Sequence, residues 1–193
     1  MAFLRSPFAP DLPPLLRNRH VVLRTPEAGD FEAWAALRIE SRAFLVPWEP
    51  AWPANDLTRS AFRARVKRYH RDIANDAAYP FFIFAAADQR LLGAVTLSNI
   101  HRGVAQMGTL GYWIGRPYAR QGHMTAALGA LDVFAFEHLQ LHRLEAACLP
   151  ANGASIGLLE KCGFQREGLA RRYLKINGVW HDHFLYAKLA LSL

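Results

Sequence analysis

A strand that runs into a glycine-punctuated, arginine-bearing loop and then a helix can hold a phosphate. Residues 110–127, LGYWIGRPYARQGHMTAA, are such a stretch. Leu110 to Ile114 are apolar, Arg116 and Arg120 bring positive charge, and Gly122 lets the backbone come close to a ligand. Backbone N–H groups at the helix start would complete an anion cradle. Read by itself, the stretch is equally an ordinary strand-to-helix turn with two solvated arginines. Other places also carry chemistry. Asn152 and Ser155 stand at the start of a helix, at a spacing that suits capping. Residues 43–53, AFLVPWEPAWP, set Glu49 between Trp48 and Pro50 in a stiff aromatic segment, where Trp48 and Trp52 either plug the core or contact a substrate. His181 and His183 share one face of a strand with Asp182 opposite, so a third metal ligand is missing and no metal site is expected.

These residues need elements to hold them. Residues 20–23 alternate toward a first strand, closed by Thr25-Pro26, and Asp30 caps a helix with Phe31, Trp34 and Leu37 at helical spacing. Asp56 or Thr58 opens a longer helix, apolar at Phe62, Val66, Tyr69 and Ile73, charged at Arg63, Lys67 and Arg71. Residues 79–87 and 91–99 read as a hairpin and residues 106–114 as the next strand. Residues 119–139 read as a central helix that buries Met124, Leu128, Leu131, Phe134 and His138. Residues 142–149 form another strand, and Asn152 caps a helix that Gly163 ends. Two last strands, 164–176 and 179–189, meet at Asn177-Gly178, the strongest short hairpin signal. This order predicts an α/β fold in a single domain: a mixed, mostly antiparallel sheet of six to seven strands with about four helices, locally parallel around the central helix. Residues 1–18 read as a loosely ordered, proline-rich lead-in and residues 19–193 as the domain.

Composition narrows the classes. With 52% hydrophobic and 20% charged residues in 193, the chain can bury a sizeable core and is not disordered. No apolar run has the length of a membrane span, and prolines and Asp11 interrupt the N-terminal stretch where a signal peptide would be continuous. Cys148 and Cys162 suggest neither a disulfide framework nor zinc, which points to a reduced, cytoplasmic setting. The net charge of +7 suits an anionic partner, but the basic residues are scattered rather than gathered into a tract, so no dedicated nucleic-acid site is expected.

Several separated motifs now fall into one pattern. Gly111-Tyr112-Trp113-Ile114, the loop Ala119-Arg120-Gln121-Gly122-His123-Met124-Thr125, Asn152-x-x-Ser155 and Lys161-Cys162-Gly163-Phe164 resemble the GCN5-related N-acetyltransferases (GNAT), across residues 19–190. Phe44-Leu45-x-Pro47-Trp48-Glu49-Pro50, Ser98-Asn99-Ile100-x-Arg102-Gly103 and Asn177-Gly178-x-Trp180-x-Asp182-His183 are similar to the Rim-type branch, the ribosomal-protein-alanine N-acetyltransferases. There are departures. Ala119 opens the loop where relatives carry Gln or Arg, Thr109 stands where many place a Glu base, and Leu159 where others place a Tyr acid.

The resemblance implies acetyl-CoA as cosubstrate and no metal. Arg120 to Thr125 would hold its pyrophosphate, with Trp113, Ile114, Asn152 and Ser155 also in contact. A backbone N–H near Trp113 or Ile114 would serve the oxyanion, and Ser155 occupies the place from which the branch protonates the leaving thiolate, one helical turn after Asn152. Capping alone also accounts for Asn152 and Ser155. Glu49 would act as base or bind the incoming amino group, with Glu145 and Tyr173 as further candidates and Trp48, Glu49 and Tyr173 lining the acceptor site. A protein α-amino group, with pKa about 8 against about 10.4 for lysine, needs little help from a base. The expected partner is therefore a protein N-terminus, that of a ribosomal protein, with possible ribosome association and no membrane. Acetylation of a small-molecule amine is the alternative, and a non-catalytic RNA- or ribosome-binding module is a third reading.

Overall fold

The structure, a computed structural model, describes residues 14–190. One eight-stranded sheet is built from β1 (Leu15–Arg17), β2 (Val21–Arg24), β3 (Tyr79–Ala85), β4 (Leu91–His101), β5 (Met107–Ile114), β6 (Arg143–Cys148), β7 (Gln165–Ile176) and β8 (Val179–Leu189). The strands lie in the order β1-β2-β3-β4-β5-β6-β8-β7, antiparallel everywhere except between β5 and β6. The helices are α1 (Phe31–Glu40), α2 (Arg42–Leu45), α3 (Arg59–Ala74), α4 (His123–Val133) and α5 (Gly153–Lys161). The parallel pair exists because α4 carries the chain from the end of β5 back to the start of β6, the crossover such a pair requires.

Alternation along the strands sends side chains into two cores. Val21, Leu23, Phe81, Ile83, Val95, Leu97 and Leu110 pack with Leu128 and Leu131 of α4 and Leu159 of α5. Val22, Phe82, Phe84 and Ala94 face the other way, against Trp34 and Leu37 of α1 and Phe62 and Val66 of α3. Covered on both faces, β3 is buried from Tyr79 to Phe84, which explains its unbroken apolar run.

Several boundaries differ from the sequence reading, each for a local reason. The predicted central helix begins at His123 rather than Ala119, because Arg120 (φ +61°) and Gly122 (φ +82°) take left-handed backbone. Its regular part stops at Val133 and passes into a π turn over Phe134–His138. The extra residue in that turn shifts the helical phase, so His138, expected on the buried stripe, is exposed and Leu139 is buried in its place. Leu15–Arg17, assigned to the lead-in, pairs with β2 as the sheet's edge strand, while residues 1–13 lie outside the described residues. The proline- and tryptophan-rich connection contains α2 and a 3-10 turn at Val46–Trp48, giving five α-helices among the described residues. Thr58 caps α3, its hydroxyl accepting from the Ala61 N–H. Asn177 (φ +43°) and Gly178 (φ +85°) form the expected left-handed hairpin turn.

Candidate active site

The site grows from a defect in the sheet. β5 and β6 pair from Met107 opposite Arg143 to Leu110 opposite Ala146 and then diverge, although β5 continues to Ile114 and β6 to Cys148. On its other side β5 stays paired with β4 to the end, and the Gly115 N–H donates to Leu92 O at 2.8 Å. Backbone groups alternate in direction along a strand, so residues 111 and 113 point at β4 whereas Tyr112 and Ile114 point into the gap. Of the two residues expected to supply an oxyanion donor, Ile114 therefore has its N–H on the open side. The Trp113 peptide is committed to β4, and its ring packs on the opposite face with the α1 core.

The gap leads to the loop expected to hold phosphate. A 3-10 turn at Arg116–Tyr118 is pinned at its start by the Arg116 N–H, which donates to the buried hydroxyl of Ser41 at 2.9 Å. Gln121 Nε2 donates to Pro117 O at 2.7 Å and closes the loop on itself. The first helical bond of α4 runs from the Ala126 N–H to Gly122 O (3.0 Å), so the amides of His123, Met124 and Thr125 precede the intrahelical ladder. They sit at the positive end of the helix dipole, beside the exposed Arg116 and Arg120. This donor set fits a pyrophosphate. The Met124 side chain is buried, so only its backbone is available to a ligand. Gln121 and His123 also line a cavity of about 490 Å³ with Asp88, Arg90 and Tyr118 on the β3–β4 side of the loop.

Across the gap stands a hydroxyl pair. Tyr112, on the face of β5 shared with Leu110 and Ile114, places its hydroxyl 2.6 Å from Ser155 Oγ. Ser155 is held by its own backbone N–H, which donates to Asn152 Oδ1 at 3.0 Å, so Asn152 is the cap and Ser155 has its hydroxyl to spare. Burial pushes the Tyr112 phenol above its ordinary range, with the Ser155 contact acting against it. Burial raises the Cys148 thiol as well, again opposed by the Ser155 hydroxyl. Tyr112 carried no role in the sequence reading; the period-two spacing from Leu110 was the signal that puts it on the α5 side.

The remaining candidates lie away from this hydroxyl pair. Glu49 accepts from Arg38 Nη1 and Nη2 (both 2.8 Å) and from Trp52 Nε1 (2.7 Å). Its own carbonyl accepts the Asn177 N–H at 2.9 Å. Trp52 stacks on Arg38, whereas Trp48 and Tyr173 are exposed, the latter edge-on to His183. Glu145 is tied to Arg143 (2.8 Å), which also binds Glu167. His183 is buried, with Nδ1 against His181 O at 2.9 Å, and among the described residues no group of His, Cys, Asp and Glu is placed to hold a metal. No described helix is long and apolar enough to cross a membrane.

Similarity to known proteins agrees with this geometry. Residues 20–165 match the family described as acetyltransferase (GNAT) domain. The chain is 37% identical over 173 residues, 90% of its length and 96% of the other's, to the Bacillus subtilis (strain 168) protein named probable N-acetyltransferase YjcK. It is 34% identical over 160 residues, 82% of each protein, to the ribosomal protein uS5-alanine N-acetyltransferase of Escherichia coli (strain K12). The solved structure of Mycobacterium smegmatis RimJ in complex with CoA-disulfide superposes with a TM-score of 0.86 at 30% identity, covering 95% of this chain and 89% of that one.

Proposed function

This chain belongs to the GNAT family of N-acetyltransferases, and from that premise we propose that it acetylates the free α-amino group of a protein, a ribosomal protein with N-terminal alanine. Acetyl-CoA is the donor, and the setting is the cytoplasm. The observation that carries the reading is the gap beyond Leu110 and Ala146, which opens strand amides toward the helix-start amides of α4. When bound there, the cosubstrate supplies an acetyl group activated as a thioester. The chain's own residues do the rest. The amides of Arg120 to Thr125 and the α4 dipole hold the pyrophosphate, and the Ile114 N–H is the donor assigned to the developing oxyanion.

The Tyr112–Ser155 pair serves the leaving sulfur. We assign Tyr112 as the donor to Ser155 Oγ, 2.6 Å away, which leaves the serine proton free for the thiolate. Asn152 fixes the turn that carries Ser155. Glu49 already accepts hydrogen bonds from Arg38 and Trp52, so we assign it to the wall of the acceptor site rather than to proton removal. Trp48 and Tyr173 offer exposed aromatic surface to the acceptor. An α-amine with pKa about 8 is sufficiently deprotonated near neutrality to attack directly and shed its proton to water.

One relative's name supports the acceptor: a ribosomal protein uS5-alanine N-acetyltransferase. The test is sequential. Acetyl-CoA at about 100 times its Kd should add roughly 2.7 kcal/mol of stability. An acceptor panel should then favour an Ala- or Ser-terminated peptide over a blocked peptide with a free lysine and over small polyamines. A preference for lysine or for small amines overturns the acceptor, and no thermal response overturns the enzyme reading in favour of a binding module.

A further inference from the structure

We propose that Arg38 is a positioning residue for the acceptor: by clamping Glu49 it fixes residues 46–53 against the β7–β8 turn, and so sets acceptor affinity without touching the cofactor side of the site. The proposal rests on the acetyl-transfer reading above for its kinetic consequence and on geometry for the clamp itself.

Arg38 leaves α1 with 7% of its surface exposed. Its guanidinium lies 3.9 Å from the Trp52 ring centroid and 4.9 Å from that of Trp113, and both Nη atoms fork onto the Glu49 carboxylate. The side chain thereby joins α1, the aromatic segment and β5. Glu49 extends the chain of contacts one step further, because its carbonyl receives the Asn177 N–H from the turn between β7 and β8. One residue is thus gripped at its side chain by Arg38 and Trp52 and grips the hairpin with its main chain. Removing the guanidinium leaves the carboxylate held by Trp52 Nε1 alone, and so loosens the carbonyl that seats the turn.

Stability alone does not call for this arrangement. A buried ion pair is commonly replaceable by apolar groups of similar volume at little or no loss. Arg38 Nε is moreover buried without a hydrogen-bond partner, a cost an apolar residue would not carry. What apolar packing cannot do is hold a carboxylate, an indole and a distant turn in one geometry, and a fork-on-fork pair does that well. The clamp is also on the opposite face of the sheet from Tyr112, which packs with the α4–α5 core and meets Ser155. Tyr112 and Ile114 direct their backbones to the β5–β6 gap, while the Trp113 ring under Arg38 belongs to the α1 side of the sheet.

The test compares Arg38→Met and Arg38→Lys with the wild-type chain, using an Ala-terminated peptide and calorimetric titration of coenzyme A. Arg38→Met should raise KM for the peptide about tenfold or more, leave kcat within about threefold and leave coenzyme A affinity unchanged. Arg38→Lys, which keeps the charge but loses the fork and most of the stacking, should fall between. By hydrogen exchange, the amides of residues 46–53 and 176–179 should lose protection in Arg38→Met while those of residues 120–125 do not. Glu49→Gln, which keeps the volume and main chain, should reproduce the KM effect and stands in if Arg38→Met does not fold. An unchanged KM in the folded variants, or a matching fall in coenzyme A affinity, overturns the clamp. If the wild-type chain acetylates no peptide at all, the acetyl-transfer reading fails instead. Hydrogen exchange then decides the clamp alone, with unaltered protection overturning it.

Discussion

Gly93 is the position where one added carbon should do most damage to both stability and ligand binding. It lies on β4 opposite Ile114, beside a bulge in which Leu92 has no counterpart between Ile83 and Phe84 of β3. That bulge turns the Gly93 backbone so that a Cβ would stand 2.3 Å from Trp113 O and 2.9 Å from Ile114 Cα. Both are backbone atoms, so relief requires β5 itself to retreat by about 1 Å to reach ordinary contact. Overpacking of this kind costs about 1–3 kcal/mol, and weakening a strand hydrogen bond adds about 1 kcal/mol. Gly93→Ala should therefore destabilise by about 2–4 kcal/mol, a large part of a typical 5–15 kcal/mol total, and lower Tm by on the order of 10 °C. Because β5 moves at Ile114, acetyl-CoA should also bind several-fold more weakly, on the order of one lost hydrogen bond. Gly129→Ala provides the control. Its Cβ would meet nothing within 4 Å on α4, so it should gain up to about 1 kcal/mol from helix propensity. Urea unfolding followed by tryptophan fluorescence, with and without acetyl-CoA, reads both effects. A Gly93→Ala midpoint at or above wild type would refute the reasoning.

Other outcomes can be stated more briefly. Gly122→Val puts a β-branched side chain at φ +82°, where backbone strain costs about 1–3 kcal/mol and the loop must refold; coenzyme A binding by calorimetry should be nearly abolished. Arg120→Glu reverses one exposed charge and should weaken the same binding only about tenfold, with the deficit shrinking as salt rises. Tyr112→Phe removes the partner of Ser155 while keeping the ring, so steady-state kcat should fall about tenfold to a hundredfold with coenzyme A affinity unchanged. Equal, normal rates in Tyr112→Phe and Ser155→Ala would reduce Asn152 and Ser155 to a helix cap.

What could be read from the sequence was local. Gly122, Asn152, Gly163 and Asn177-Gly178 each announce themselves because a turn or a cap needs that residue within a few positions of itself. What could not be read was assembled across distance. Tyr112 and Ser155 are 43 residues apart, and nothing in either neighbourhood states that their hydroxyls meet. Glu49 looked like a free carboxylate because its partner Arg38 lies on an earlier helix, where an arginine ordinarily faces water. The π turn after α4 was invisible for a related reason. Phe134 sits edge-on to Tyr79 and Phe81, a tertiary contact that accompanies the extra residue in the helix and moves His138 out of the core.

The short seam between β5 and β6 has a mechanical meaning as well. Four residue pairs join a leaf of five strands to a leaf of three, fewer than join β3 to β4, β4 to β5, β6 to β8 or β7 to β8. Shear applied across the sheet would concentrate there, with the continuous core beneath it acting as a hinge rather than a weld. A ligand lying along the gap would work as a clasp between the leaves. Stiffness and occupancy would then rise together, and the moment of greatest compliance would be the interval between one donor leaving and the next arriving.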